Sequence, residues 1–366
     1  MKTKLVYVLT CNPESTYIEQ ALISIYSARY WNQDSYIVLI VDNKTNELLV
    51  EKRGEILDYI SEKIVIFFDD ERSMHYRSRW LKTKVRELIE GDFLFIDCDT
   101  ICCKSLSNID FVEEHMVAVP ESNLLISDFN KSMLDQVSKY AKIVGWNIDY
   151  EEIYYSSGVI FAKDTELVHR FYNIWHNKWI ELLEQGINID QPTFAYANIM
   201  CDHIIKLMPN SYNAILFTEN SELRDAHILH ISAYRNSSFL FNKKTLNFIR
   251  NNGLLRNEVI TSRDWVIKNI KDPFFTYLPF DYEYYNASVK EKIKWTRKLI
   301  SSHKGYGKYV DSMFNEIVLR SKINVIFIYL LRIKLYNIAF IVWNIWKYVH
   351  TKLNKRFIRN NYCKKF

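Results

Sequence analysis

Residues 91–100, Gly-Asp-Phe-Leu-Phe-Ile-Asp-Cys-Asp-Thr, decide the fold. Gly91-Asp92 is a turn signal, residues 93–96 form a wholly apolar run of strand length, and the run passes directly into Asp97-Cys98-Asp99. A short, uninterrupted apolar strand is one buried on both faces, as in a parallel sheet covered by helices. Ligands of open α/β sheets collect at the carboxyl ends of the strands, and that is where this acidic triplet falls.

The flanking sequence supports such a sheet. Upstream, residues 4–9 read as a strand ending in the loop CNPEST, and Thr16 with Glu19 has the spacing of a capping box opening a helix to about residue 30. The alternation continues with a strand over 36–41, a helix near 44–59, a strand over 64–68 and a helix over 79–89 with Trp80, Leu81, Val85 and Leu88 on one face. Downstream, 116–119 and 157–162 read as strands. Asp164 is expected to cap a long amphipathic helix carrying Leu167, Phe171, Ile174, Trp175 and Leu182, stopped by Gly186. Strand and helix in alternation predict a mainly parallel, mixed α/β sheet flanked by helices, with a helical extension towards the C-terminus.

Composition narrows the classes. The 366 residues are 48% hydrophobic and 25% charged with only 8 Gly and 6 Pro, which excludes a disordered or fibrous chain. A net charge of +5 spread over this length is no basic stripe, so a nucleic-acid partner is not expected. The six cysteines (Cys11, Cys98, Cys102, Cys103, Cys201, Cys363) form no C-x-x-C pair, so neither a structural zinc site nor a disulfide framework is indicated, and reduced thiols are expected. The N-terminal apolar stretch breaks at once into polar residues and reads as the first strand, not a signal peptide.

Asp97 and Asp99 flank one extended residue, so both carboxylates can face one side and share a hard divalent cation. Such a cation bridges diphosphate oxygens and neutralises charge on a departing nucleoside diphosphate. A bare D-x-D arises by chance about once in a chain this long, and a solvated acidic turn is the bland alternative. The position after a buried strand favours the metal site.

Residues 79–101, RWLKTKVRELIEGDFLFIDCDTI, resemble the D-x-D segment of glycosyltransferase family 8, the group that includes glycogenin and bacterial lipopolysaccharide galactosyl- and glucosyltransferases. Four further segments are similar to that family's motifs, in the same order: YYSSGVIFAKDTELVHRFYNIW (154–175), NIDQPTF (188–194), LMPNSYN (207–213) and HILHISAY (227–234). The resemblance covers about residues 3–240 and implies a GT-A fold that uses a UDP-sugar donor with Mn²⁺ or Mg²⁺.

Carried over by position, it implies that Asp97, Asp99 and His230 hold the metal, with His227 the competing choice. Asp190 and Gln191 would lie beside the donor sugar as catalytic residues; Asp190, just before Pro192, also reads as a helix N-cap. Thr10, Asn12, Arg79, Lys82, Cys98, Ser157, Gly158 and Asn213 would contact the donor nucleotide or sugar, with Arg86 a weaker choice. Two departures stand out. Thr10-Cys11-Asn12 replaces the Asp that the family often has after its first strand. The family's G-x-x-K-P-W after the histidine is absent, leaving Arg235 to take the lysine's place at the diphosphate.

The expected organisation is a catalytic domain over 1–238, an extension over 239–317 to which no chemistry can be assigned, and an amphipathic basic segment over 318–366. In the last, residues 323–346 are apolar and aromatic but interrupted by Arg332 and Lys334, and a polybasic tail follows. Burying two cations at mid-bilayer is costly, so an interfacial helix on the inner face of the cell membrane is expected rather than a span. That placement suits a lipid-linked or glycan acceptor in cell-surface polysaccharide or lipopolysaccharide synthesis. Two other classes stay open from sequence. One is a sugar nucleotidyltransferase, which would normally show a Gly-rich loop after the first strand. The other is a non-catalytic sugar-binding protein of the same fold.

Overall fold

The computed structural model describes residues 1–69, 71–148, 153–215, 226–231 and 243–254. Its elements, in chain order, are β1 (Lys4–Leu9), α1 (Tyr17–Trp31), β2 (Ile37–Asp42), α2 (Asn43–Glu47), β3 (Glu62–Ile66), α3 (Met74–Thr83), α4 (Val85–Leu88), β4 (Phe93–Ile96) and β5 (Thr100–Cys102). They continue with β6 (Met116–Pro120), α5 (Lys131–Val144), β7 (Tyr155–Ala162), α6 (Glu166–Glu184), α7 (Gln191–Met200), β8 (Ile205–Leu207), β9 (Ala214–Ile215), β10 (Ile228–His230) and α8 (Lys243–Asn252).

A seven-stranded sheet has the order β3-β2-β1-β4-β7-β6-β8. The pairs β3/β2, β2/β1, β1/β4 and β6/β8 are parallel, and β7 alone runs against both of its neighbours. This is the expected mainly parallel, mixed α/β sheet with flanking helices. The carboxyl ends of β1, β4 and β6 therefore share one edge. A small second sheet, β5-β10-β9, starts where β4 ends. On one face of the large sheet Phe93, Phe95, Ile160, Phe171, Trp175 and Phe194 form the core. Phe171 and Trp175 of α6 meet Phe194 of α7 edge-on at 5.3 and 4.8 Å, a geometry that adds to their area burial. Helix α1 is buried along its whole middle, from Ile18 to Ala28, which is why its sequence is apolar nearly all round.

The expected strands and long helices are present, and the differences have local causes. No continuous helix spans 44–59. Asp42 caps α2 by accepting from Thr45 N, Glu51 then adopts φ +49°, and a 3₁₀ turn follows at Arg53–Tyr59. Strand β3 ends two residues early, because Phe67, which lengthened the apolar run, is 76% exposed. The helix expected over 79–89 is two helices. Ser73 caps α3 five residues further upstream, and Lys84 breaks the path before α4. The first turn of α3 carries no apolar period because its residues face different ways: Met74 and His75 line a cleft, Tyr76 packs on Phe68 and Trp179, and Arg77 pairs with buried Asp42.

Thr16 makes no side-chain cap, and Glu19 is engaged elsewhere. Asp164 lies one residue outside α6, where it accepts from Gly91 N (2.6 Å) and pairs with His169 (2.8 Å) and Arg86 (3.3 Å). Gly186 does end α6, at φ +81°. The short strands β5, β8 and β9 carry no sequence signal that marked them out, whereas α5, which the sequence reading passed over, has an Asn130 cap, an apolar period through Met133, Val137, Ala141 and Val144, and Gly145 at its end.

Residues 243–254 lie in the stretch to which sequence assigned no role, and α8 docks on α1. The buried Glu19 carboxylate accepts from Arg53 Nε (2.7 Å) and Arg250 Nε (3.1 Å), and both guanidinium groups also reach Ser15 O. The remainder of the 239–317 segment and the whole basic segment 318–366 lie outside the described residues, as does Arg235.

Removing the carboxylate would strand two partly buried guanidinium groups. Glu19→Ala is therefore expected to cost about 3–5 kcal/mol in chemical denaturation. His176, packed beside Trp80 and Trp179 and hydrogen-bonded to Thr83 (2.8 Å), is held neutral by burial, its pKa falling from 6.5 to about 4. Between those values the unfolded chain binds more protons than the folded one, so stability falls as pH is lowered through that window. His176→Gln should flatten this part of the curve of melting temperature against pH.

Candidate active site

The D-x-D segment sits where the chain leaves the large sheet for the small one. Asp97 N donates to Gly158 O (2.8 Å), which extends the β4/β7 pairing by one residue. Thr100 Oγ1 then donates to Asp97 O (2.8 Å), and Ile231 N donates to Asp99 O (3.0 Å). Asp97 is thereby tied to β7 and Asp99 to β10. Because Thr100 stands opposite His230 in the β5/β10 register, the imidazole is delivered to the two carboxylates from more than a hundred residues away.

Donor atoms of Asp97, Asp99 and His230 lie within 4.8 Å of one another. His230 Nε2 is 3.1 Å from Asp99 Oδ1, and its Nδ1 is 2.9 Å from Oδ1 of the fully buried Asn213. An Nδ1–H donated to Asn213 would leave Nε2 facing the carboxylates, an arrangement suited to holding a metal. Gly158 is required by the same packing. A Cβ there would lie 2.5 Å from His230 Cε1 and 3.1 Å from Asp97 Oδ2. Two hard carboxylate oxygens and an imidazole nitrogen suit a divalent cation such as manganese or magnesium.

These groups line a cleft of about 350 Å³ together with Thr10, Cys98, Arg79, Lys82, Glu121, Ser157, Asp190 and Gln191. Lys82 Nζ sits 3.3 Å from Asp97 Oδ1, 3.2 Å from Ser157 Oγ and 3.5 Å from Asp190 Oδ2. Arg79 Nε is 3.7 Å from Asp190 Oδ1. Burial pushes the Lys82 ammonium towards its neutral form, but Asp97 and Asp190 outweigh it and hold it charged. Burial acts against the Asp190 carboxylate too, and Lys82 and Arg79 overcome it, keeping its pKa below the usual value. Asp97 has the opposite balance: burial and nearby Asp99 raise its pKa despite Lys82. His230 is raised, because Asp99 and Asp97 outweigh its desolvation. Asp97, Asp99, Asp190 and Glu121 thus face two permanent cations, Lys82 and Arg79. With the histidines neutral, the four carboxylates exceed those two cations by two charges, and the raised His230 pKa means that a protonated imidazole offsets part of that excess.

The residues singled out from sequence divide clearly. Asp190 occupies the N-cap position of α7 but makes no capping bond; its carboxylate points at Ser157 (3.3 Å) and Lys82. Gln191 Nε2 donates to Glu121 Oε2 (2.6 Å) and Tyr155 O (3.2 Å). Thr10 lines the cleft while donating to Met74 O (3.2 Å), and Cys98 lines it with its thiol turned to Val8 O (3.3 Å). Asn12 is exposed and outside the cleft, its backbone engaged with Ser15. Asn213 stands behind His230 and does not line the cleft. His227 stacks on Tyr212 at 4.4 Å and bonds Ser211, away from the carboxylates. Arg86 ties Gly91 O (2.9 Å) and Asp164 on the amino side of β4, remote from the cleft.

Sequence reasoning missed Glu121, Tyr17, Gln20, His75 and Ser78, all of which line the cleft. Only Glu121 carried a signal: MVAVP-E repeats the pattern of FLFI-D, an apolar strand running straight into an acid at the ligand edge.

No protein-family model and no curated protein matches this chain. Solved structures do resemble it. The galactosyltransferase LgtC, in complex with donor and acceptor sugar analogues, aligns with a TM-score of 0.46 and 13% identity over 72% of this chain and 99% of its own. The bifunctional glycosyltransferase WbbM aligns with a TM-score of 0.46 and 14% identity over 63% of this chain, which spans 46% of WbbM's length. GlyE of Streptococcus pneumoniae aligns with a TM-score of 0.43 and 14% identity over 74% of this chain and 65% of its own.

Gly158→Ala, which intrudes on His230 and Asp97 together, should weaken Mn²⁺ binding by at least ~10-fold, measured by electron paramagnetic resonance of the unbound ion. A circular-dichroism melt would check that the sheet persists.

Proposed function

We propose that this chain is a metal-dependent glycosyltransferase of GT-A type that moves a hexose from a UDP-sugar to a glycan or lipid-linked saccharide acceptor. The carrying observation is the Asp97, Asp99 and His230 cluster at the strand-end edge of a mainly parallel sheet, facing a cleft lined by more carboxylates than lysine and arginine side chains. Its volume of about 350 Å³ lies within the range of small-molecule sites.

Asp97, Asp99 and His230 would hold Mn²⁺ or Mg²⁺, which when bound neutralises charge on the departing diphosphate. In the transfer, the bond from the anomeric carbon to the diphosphate oxygen breaks and its electron pair leaves with the diphosphate. The acceptor hydroxyl oxygen bonds to the anomeric carbon, and its proton passes to the departing diphosphate oxygen. Retention of configuration follows the family-8 resemblance.

The chain's own groups take distinct roles. Asp190 and Gln191 sit beside the sugar, and Ser157 and Gly158 form the wall that allows it close approach. Lys82, caught between Asp97, Asp190 and Ser157, keeps the carboxylates ionised rather than reaching for a phosphate. Arg79 is the cation better placed for one, and Arg235 is proposed as a second. Thr10 and Cys98 border the nucleotide side.

Among the described residues no helix is long and apolar enough to cross a membrane. Peripheral attachment to the inner membrane face through residues 323–346, for a lipopolysaccharide or polysaccharide acceptor, is proposed from the sequence alone.

Titration calorimetry of UDP into the full chain is the test. Binding should require Mn²⁺, and Asp99→Ala should weaken it by about 100-fold or more. Equal affinity without metal, or an unaffected variant, contradicts the reading.

A further inference from the structure

Glu121 ends an apolar strand at the ligand edge as Asp97 does, and a turn of unusual backbone geometry follows it. It follows β6 at Pro120 and lines the cleft. The next two residues, Ser122 (φ +56°) and Asn123 (φ +55°), are both in the left-handed region, which is costly for a serine and tolerated by asparagine, as are Asp202 and His203 after α7. Asn123 braces the turn. Its Nδ2 donates to Asn213 O (2.9 Å), and its Oδ1 accepts from Ile215 N (2.8 Å). Asn213 is the residue that fixes His230. Strained backbone held by its surroundings is characteristic of functional sites.

The turn delivers a carboxylate to Gln191. Glu121 Oε1 accepts from Ser122 Oγ (3.2 Å), and Oε2 accepts from Gln191 Nε2 (2.6 Å). The other amide proton of Gln191 goes to Tyr155 O (3.2 Å). Both partners can only accept, so the amide nitrogen is fixed on their side, and the amide oxygen is the remaining polar atom of that side chain. A carboxamide without such partners can turn over and exchange oxygen for nitrogen at the same place.

We propose that Glu121 is a positioning residue for Gln191, holding the carboxamide in one orientation from a strained turn that is braced, through Asn123 and Asn213, against the histidine of the metal cluster. This rests on the transferase reading above, because it assigns Glu121 to the sugar side of the same cleft. The metal side and the sugar side of the cleft are then joined by one hydrogen-bonded path through the turn.

The test measures hydrolysis of UDP-glucose and UDP-galactose by the full chain with Mn²⁺, using whichever the wild type cleaves faster, alongside UDP affinity by calorimetry. Glu121→Gln, whose amide can offer Gln191 either a donor or an acceptor, should lower kcat by roughly 30-fold while leaving KM and UDP affinity within about 2-fold. Glu121→Asp, which keeps the acceptor on a shorter arm, should recover part of the loss. The double variant Glu121→Gln with Gln191→Ala should be no slower than Gln191→Ala alone. Wild-type kcat in Glu121→Gln, or losses that multiply in the double variant, would overturn the positioning role and leave the transferase reading intact. Absence of metal-dependent UDP binding and of hydrolysis in the wild type would remove both.

Discussion

Carboxylates brought together out of water repel one another and lose hydration, and the geometry around this cleft is an answer to that cost. Asp97, Asp99 and Asp190 are clustered within the fold, with Glu121 close by. Lys82 is threaded among Asp97, Asp190 and Ser157, Arg79 stands over Asp190, and His230 leans on Asp99. Lys82 and Arg79 do not balance four carboxylates, and hard oxygens and one imidazole converging on that excess suit a divalent cation.

Backbone pairing enforces this crowding. Asp97 cannot leave its place without breaking the hydrogen bond to Gly158, nor Asp99 without losing the one from Ile231. Gly158 lets β7 pass against both the imidazole and the first aspartate, an approach that a single methyl group would block. The small β5-β10-β9 sheet has a definite task in this arrangement. It carries His230 across from a distant part of the chain.

Much of this could be read from residues 91–100. A buried strand running into two acids placed Asp97 and Asp99 at the sheet's carboxyl edge, and strand-helix alternation around it gave the sheet's direction. The choice of His230 over His227 depended on motif order, and the structure separates them physically: one meets Asp99, the other stacks on Tyr212. What escaped reading was what sequence periodicity does not encode. The first turn of α3 splits between the cleft and the buried Arg77–Asp42 pair, so it gave no apolar period. Glu19 looked like a capping residue until two arginines, one of them from α8, were seen to share it. Lys82 and Asn213 were placed near the donor by motif; the structure puts Lys82 in the cleft against Asp97 and Ser157, and Asn213 behind His230. Glu121 depends on two left-handed residues that no local pattern announced.

The central claim is that this charge-deficient cluster binds a cation which in turn holds a nucleoside diphosphate. Anomalous diffraction at the manganese edge, from crystals grown with Mn²⁺ and UDP, tests it most directly. The account predicts one strong peak bonded to Asp97, Asp99 and His230 with the diphosphate oxygens on its open side. A diphosphate bound without manganese, or manganese bound away from these three residues, would contradict it.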